Sequence, residues 1–198
     1  MIERVVVLTG GVGGAKLVDG LYRLLAPENL TAIVNTGDDF HHLGLPISPD
    51  IDTLLYTLSG KSNTALGWGR EGETWSFMEA VRSLGGEDWF NLGDGDMALH
   101  ILRRAALDSG EPLSAVIGRF AASWDLSLSI LPMSDDPVAT WLETDEGLLA
   151  FQRYFVERQC TPIVSRISFR GADAASPAPG VIEAIQAADV ILIAPSNP

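Results

Sequence analysis

A chain of 198 residues that is 46% hydrophobic, with a mean hydropathy of +0.19, can bury a sizeable core and suits one domain, or one domain plus a fragment of another, rather than a disordered segment. Thirteen basic against 26 acidic residues leave a formal charge of −13, so nucleic acids and anionic membrane surfaces would be repelled, and no run approaches the ~20 apolar residues of a membrane span. A lone Cys160 excludes an internal disulfide and a cysteine-cluster metal site and reads as a buried, inert thiol; with no basic and apolar leader, a reducing, cytoplasmic location is expected.

Val5 to Leu8 is a continuous apolar run, as in a strand buried on both faces of a parallel sheet. It leads into Gly10, Gly11, Gly13 and Gly14 and then Lys16. Glycines let backbone N–H groups approach an anion, and the positive end of the following helix points at the same place, so a phosphate site is expected there. Neither familiar fingerprint fits: Lys16 stands at the third glycine of G-x-G-x-x-G, and Ala15 and Leu17 flank it where a Walker A loop needs Gly and Ser or Thr. Lys16 to Leu25 carries a helical apolar stripe stopped by Pro27, and Thr31 to Asn35 reads as a second strand. In such a β-Gly-α-β unit, Asp38 and Asp39 follow the second strand at the rim that holds the glycines.

His41 and His42, adjacent and so poor ligands for one ion, read as loop residues. Ser48 and Pro49 start a helix with an apolar stripe at Ile51, Leu54, Leu55 and Leu58. Asp50 and Asp52 lie in its first turn, about 200° apart around the axis, so they flank opposite sides of the stripe rather than share one ion. Residues from about 60 to 125 form a helical insert that can wall or cover the site: one helix capped by Thr74, one from about Asp96, and one from Leu113 to Ala122. LGDGD places Asp94 and Asp96 at a helix start, where capping alone would explain them. Val138 to Glu143 and Leu148 to Gln152 make a β-hairpin around TDEG; Ile163 to Phe169 is a strand, Pro179 to Ala188 a helix, and Val190 to Ala194 a buried final strand. A strand and polar loop normally feed a covering helix, so the single domain is expected to be incomplete at its C-terminal side.

The glycine run, NTGDDF, HLGLPISPDIDT, GWGREGETW, LGDGD, LPMSDDPV and APSNP, in that order, resemble the CofD family, the 2-phospho-L-lactate transferases of coenzyme F420 biosynthesis. The resemblance implies an α/β fold: a Rossmann-like, mostly parallel sheet with helices on both faces, a helical insert and a β-hairpin. It implies a transferase that passes a phospholactyl, phosphoenolpyruvyl or phosphoglyceryl group from an activated guanosine diphosphate ester to the deazaflavin Fo, releasing GMP, with Mg2+ as cofactor. It puts Gly10, Gly11, Gly13, Gly14, Lys16, Ser196 and Asn197 by the nucleotide phosphates, and Asp38, Asp50 and Asp52 by the metal and Fo. Asp94 and Asp96 fall by Fo too, but Gly95 stands where the family pattern carries an Arg that reaches Fo, and Leu99 where it carries a Thr.

The chemistry agrees: transfer at phosphorus to an alcohol needs its oxygens neutralised by amides and a cation, and a carboxylate to orient or deprotonate the attacking hydroxyl. The glycine run supplies amides, Asp38 is the leading magnesium ligand with Asp50 beside it, and Asp52 or Asp50 is the catalytic residue expected at the hydroxyl. The rival reading is a nucleotide- or nucleotide-sugar-binding regulator of the same fold without turnover. Oligomeric state is open, a homodimer included.

Overall fold

The computed structural model describes residues 3–195. Only Gly10 separates β1 (Val5–Thr9) from α1 (Gly11–Tyr22), so the helix begins inside the glycine run rather than at Lys16. Gly11 takes φ +60° at that junction, a conformation that costs other residues strain. The helix stops at Tyr22, and a single 3-10 turn at Pro27–Asn29 leads into β2 (Leu30–Val34). β3 (Phe40–His42) and β4 (Leu45–Ile47) form a hairpin where a loop was expected. Leu43 and Gly44 both have positive φ, 51° and 78°, the geometry of a two-residue turn that matches strand twist.

α2 (Pro49–Leu58) starts at Pro49 as expected, but the Ser48 hydroxyl donates to Asp39 across 2.7 Å instead of capping it. The insert supplies α3 (Ser76–Ser83), α4 (Asp96–Asp108) and α5 (Leu113–Ser123). Then come β5 (Ser129–Pro132), which the sequence reading missed, β6 (Ala139–Thr144), β7 (Gly147–Ala150), β8 (Val164–Arg170), α6 (Val181–Ala187) and β9 (Val190–Ile193). Cys160 is exposed, not buried, in the turn before β8.

The central sheet is parallel throughout, in the order β5-β2-β1-β9. Side chains alternate across it. Val5 and Val7 pack with α1, α2, α4 and α5 in the larger core, while Val6 and Ile33 face α6 on the other side. Helices thus cover both faces, and α5 is a crossover helix of the sheet rather than a lid. β9 is an edge strand with Ile191 and Ile193 exposed, unlike the buried strand expected. The hairpin β6-β7 forms as expected and takes β8 as its third strand, in an antiparallel sheet ordered β7-β6-β8. Among the described residues, no helix is long and apolar enough to cross a membrane.

Candidate functional site

Parallel strands deliver their carboxyl ends to one rim, and the backbone N–H of Asn35 locks the ends of β1 and β2 together on the carbonyl of Thr9 at 2.9 Å. Around that junction the Asp50 carboxylate accepts the Gly11 backbone amide at 2.9 Å and the Asn35 side-chain amide at 2.9 Å. The same Asn35 nitrogen lies 3.4 Å from Asp38. The rim therefore brings Asp38 and Asp50 onto one amide, with the start of the glycine run donating to Asp50. Burial, then the charge of Asp50, pushes the Asp38 carboxyl up to about 6 against a hydrogen bond from Thr140. Burial also raises Asp50, offset by the bonds from Asn35 and Gly11, and holds Asp39 well above the usual carboxylate range.

The glycines are as much a packing device as an anion cradle. A Cβ at Gly10 would lie 2.7 Å from Asp50, one at Gly13 2.8 Å from the Pro195 carbonyl, and one at Gly14 would collide with the Thr9 hydroxyl. Lys16 is exposed on α1. Ser196 and Asn197 lie outside the described residues.

Asp52, on the opposite side of α2 from Asp50 as its spacing requires, is 5% exposed. Both of its oxygens are held by the guanidinium of Arg103, which is fully buried in α4. Arg103 also reaches the Pro46 carbonyl at 3.3 Å. Asp94 and Asp96 separate despite their spacing. The Asp94 carboxylate accepts the hydroxyl of Thr74 at 2.6 Å and the amides of Ser76 and Phe77 at 3.1 and 3.0 Å, capping α3. Thr74 is thus a partner of that cap rather than the cap itself. Asp96 opens α4, accepts the Tyr56 hydroxyl, and lies 3.1 Å from Nε2 of His100. Burial alone would raise its carboxyl, but His100, Tyr56 and Arg103 together hold it below the ordinary value. Burial, then the charges of Asp52 and Asp96, raises the Tyr56 phenol.

Sequence reasoning missed Asn35, His100, Arg103 and Thr140. Asn35 was recoverable, since it ends the second strand at the rim by the argument used for Asp38. Arg103 was not: a lone Arg in an amphipathic helix reads as solvent-facing.

Beside the rim, between the central sheet's end and the antiparallel sheet, lies a cleft of about 550 Å³. Phe40, Trp89, Trp141 and Phe151 line it, with Asp38 and Ser48 also on its wall. Arg153 stacks on Trp89 at 4.2 Å and grips Glu87 with two bonds of 2.8 Å, and Arg170 stacks on Trp141 at 4.1 Å. Aromatic walls beside polar groups suit a planar heterocycle. GWGREGETW lies apart from this cleft. Its Arg70 pairs with Glu73 at 3.1 Å, and Glu73 accepts the Gly95 amide at 2.6 Å. A side chain at Gly95 would run into that Arg70–Glu73 pair.

Among the described residues, no three His, Cys, Asp or Glu side chains converge as a complete metal cage. Asp38 and Asp50 offer two carboxylates, a set that fits magnesium, which completes its shell with water and substrate phosphate.

The family model for 2-phospho-L-lactate transferase CofD matches residues 5–198. A phosphoenolpyruvate transferase of Streptomyces griseus is 46% identical over 98% of this chain and 63% of its own length. A 2-phospho-L-lactate transferase of Methanosarcina mazei is 40% identical over 98% of this chain and 64% of its own. The chain thus spans less than two thirds of these relatives. Protein BH3568 of Bacillus halodurans, a solved structure, has the same fold at a TM-score of 0.62 and 21% identity, covering 98% of this chain and 59% of that one. With the family model covering nearly every residue and relatives at 40% identity or more, the chain belongs to the CofD family.

Proposed function

We propose that this chain forms the nucleotide- and acceptor-binding part of a transferase. It would move a phospholactyl- or phosphoenolpyruvyl-type group from an activated guanosine diphosphate ester to the deazaflavin Fo. The observation that carries the reading is the junction of Gly11, Asn35, Asp38 and Asp50 beside an aromatic cleft of about 550 Å³, in a CofD-family chain. In the transfer, the acceptor hydroxyl oxygen bonds to the phosphorus bearing the three-carbon acid. The P–O bond to GMP breaks, GMP keeps the electron pair, and the hydroxyl proton passes to a rim carboxylate or water.

Asp38 and Asp50 would hold Mg2+, whose charge would neutralise the phosphate oxygens. Two carboxylates drawn to one amide, with Asp38 resisting ionisation, are what a divalent cation would relieve. The aromatic walls would stack the deazaflavin ring, and Asp50 would orient the attacking hydroxyl. Asp52, locked to Arg103, is better suited to supporting Asp50 than to meeting substrate.

The non-catalytic alternative draws on one observation: Asp50 already occupies the Gly11 amide, where a phosphate would otherwise sit. Incubation with Fo, the activated guanosine donor and magnesium tests both. GMP release that needs all three supports transfer; nucleotide binding without GMP supports the regulator.

A further inference from the structure

Four carboxylates, those of Asp38, Asp39, Asp50 and Asp52, crowd the rim, and one fully buried cation, Arg103, stands behind them. Arg103 belongs to α4 and makes no bond to Asp50. Its guanidinium instead takes both oxygens of Asp52 and the carbonyl of Pro46, in β4 three residues before α2 begins. A planar fork with two parallel bonds fixes orientation as well as distance, which a single ammonium cannot do. His100, one turn earlier, stands 3.8 Å from the same carboxylate.

The first turn of α2 is thereby held at both ends of one short segment. Asp52 is tied down to α4, and Asp50, two residues before it, points the other way to Gly11 and Asn35, each at 2.9 Å. Any tilt of this turn moves Asp50 relative to Asp38 and the glycine run.

We propose that Arg103 is a positioning residue for the candidate cation site: by locking Asp52 it fixes the turn that carries Asp50, and so the geometry that Asp50 and Asp38 offer to a divalent ion. The cation part of this assignment rests on the proposed function, whereas the coupling from α4 to the glycine run does not.

Charge and position make opposite demands. Removing a nearby positive charge should by electrostatics alone tighten binding of a cation, whereas loss of positioning should weaken it. Arg103→Lys keeps the charge and removes the fork. Arg103→Met removes both.

The experiment is hydrogen exchange of the wild-type chain and both variants, read by peptide, with Mn2+ affinity measured by titration calorimetry on the same samples. Arg103→Lys should speed exchange in the peptides covering Gly10–Lys16 and Ser48–Tyr56 and leave those of β2 and β5 unchanged. Mn2+ affinity should fall about 10- to 100-fold in Arg103→Lys, the usual consequence of removing a support behind a metal ligand, and should stay below the wild-type value in Arg103→Met. Unchanged exchange at the glycine run, or a uniform rise across the whole chain, overturns the proposal and leaves Arg103 a packing residue. Tighter Mn2+ binding in Arg103→Met overturns it in favour of electrostatics. A wild-type chain that binds no Mn2+ refutes the metal reading under the proposed function, and the exchange data still decide the coupling. If Arg103→Met does not fold, the Arg103→Lys comparison is sufficient for both readouts.

Discussion

The side-chain amide of Asn35 donates to Asp50 across 2.9 Å, and the same nitrogen faces Asp38 at 3.4 Å. One neutral amide therefore stands between two carboxylates that burial already disfavours as ions. The folded Asp38 carboxyl sits at about 6, against 3.8 for its ordinary value. Between those pH values the native chain holds a proton that the unfolded chain has lost. Stability therefore falls as pH rises through this window, and the full cost, on the order of 1–3 kcal/mol, is present above pH ~6. Asp38→Asn should raise the melting temperature at pH 7.5 and change it little at pH 4. Thermal melts at the two pH values check this, and an equal shift at both would rule out ionisation of Asp38 as the cause.

The same substitution has an opposite effect on ligand. A neutral amide is a poorer partner than a carboxylate for a hard cation, so Asp38→Asn should weaken magnesium-dependent nucleotide binding far more than binding without metal. Calorimetry with and without magnesium measures it. Equal losses in the two conditions would make Asp38 a residue that contacts the nucleotide or holds the rim, not a metal ligand.

Glycines of the run should differ sharply in tolerance. Gly11 has φ +60° and open space, so Gly11→Ala should cost about 1 kcal/mol of backbone strain. Gly14 has no room beside Thr9, and Gly14→Ala should cost about 2–3 kcal/mol, the upper part of the overpacking range. Gly10→Ala should push Asp50 aside and so lower nucleotide affinity as well as stability. Denaturant titrations rank the three, and a Gly14 variant as stable as the Gly11 variant would contradict the packing account.

What the sequence made legible was what local patterns encode. The VVVL run, the glycines and the stripe of α2 each state their element within a few residues, and they place Asp38 and Asp50 at one rim. The β3-β4 hairpin was missed because strands of three residues have no period to read, and His42, which reads as polar, is buried against Trp89 and Phe90. Asp94 caps a helix 18 residues upstream of it, and Arg103 meets a carboxylate 51 residues away. Those pairings arise only once the chain has folded, so no local rule exposes them. Asp94 remains open to test. If it is only a cap, Asp94→Ala should lower the melting temperature, an effect that fades in acid as its depressed carboxyl protonates, with Fo affinity unchanged.

Gly95 gives the last prediction. Its backbone is right-handed helical, at φ −75° and ψ −34°, so a side chain there meets no conformational strain. Space is the obstacle: a Cβ would lie 2.9 Å from Glu73 and collide with the guanidinium of Arg70, which occupies the volume that any longer side chain at this position would enter. The chain therefore already carries a guanidinium against Gly95, supplied from the loop before α3 and held by the nearly buried Glu73. Arg70 lies apart from the aromatic cleft and so tests a different seat for the acceptor: if Fo lies against Arg70 instead, Arg70→Ala should weaken Fo binding roughly ten- to hundredfold, the loss of one charge-assisted bond of about 1.5 to 3 kcal/mol. Gly95→Arg alone should not tighten Fo binding, because it would drive Arg70 and Glu73 out and free the Gly95 amide that Glu73 accepts; its melting temperature should drop. The swap Arg70→Gly with Gly95→Arg restores one guanidinium to the same volume and should recover most of the affinity lost in Arg70→Ala. Fluorescence titration of Fo against the three variants reads all of these. Full Fo affinity in Arg70→Ala, at unchanged melting temperature, would confine Arg70 to a structural role.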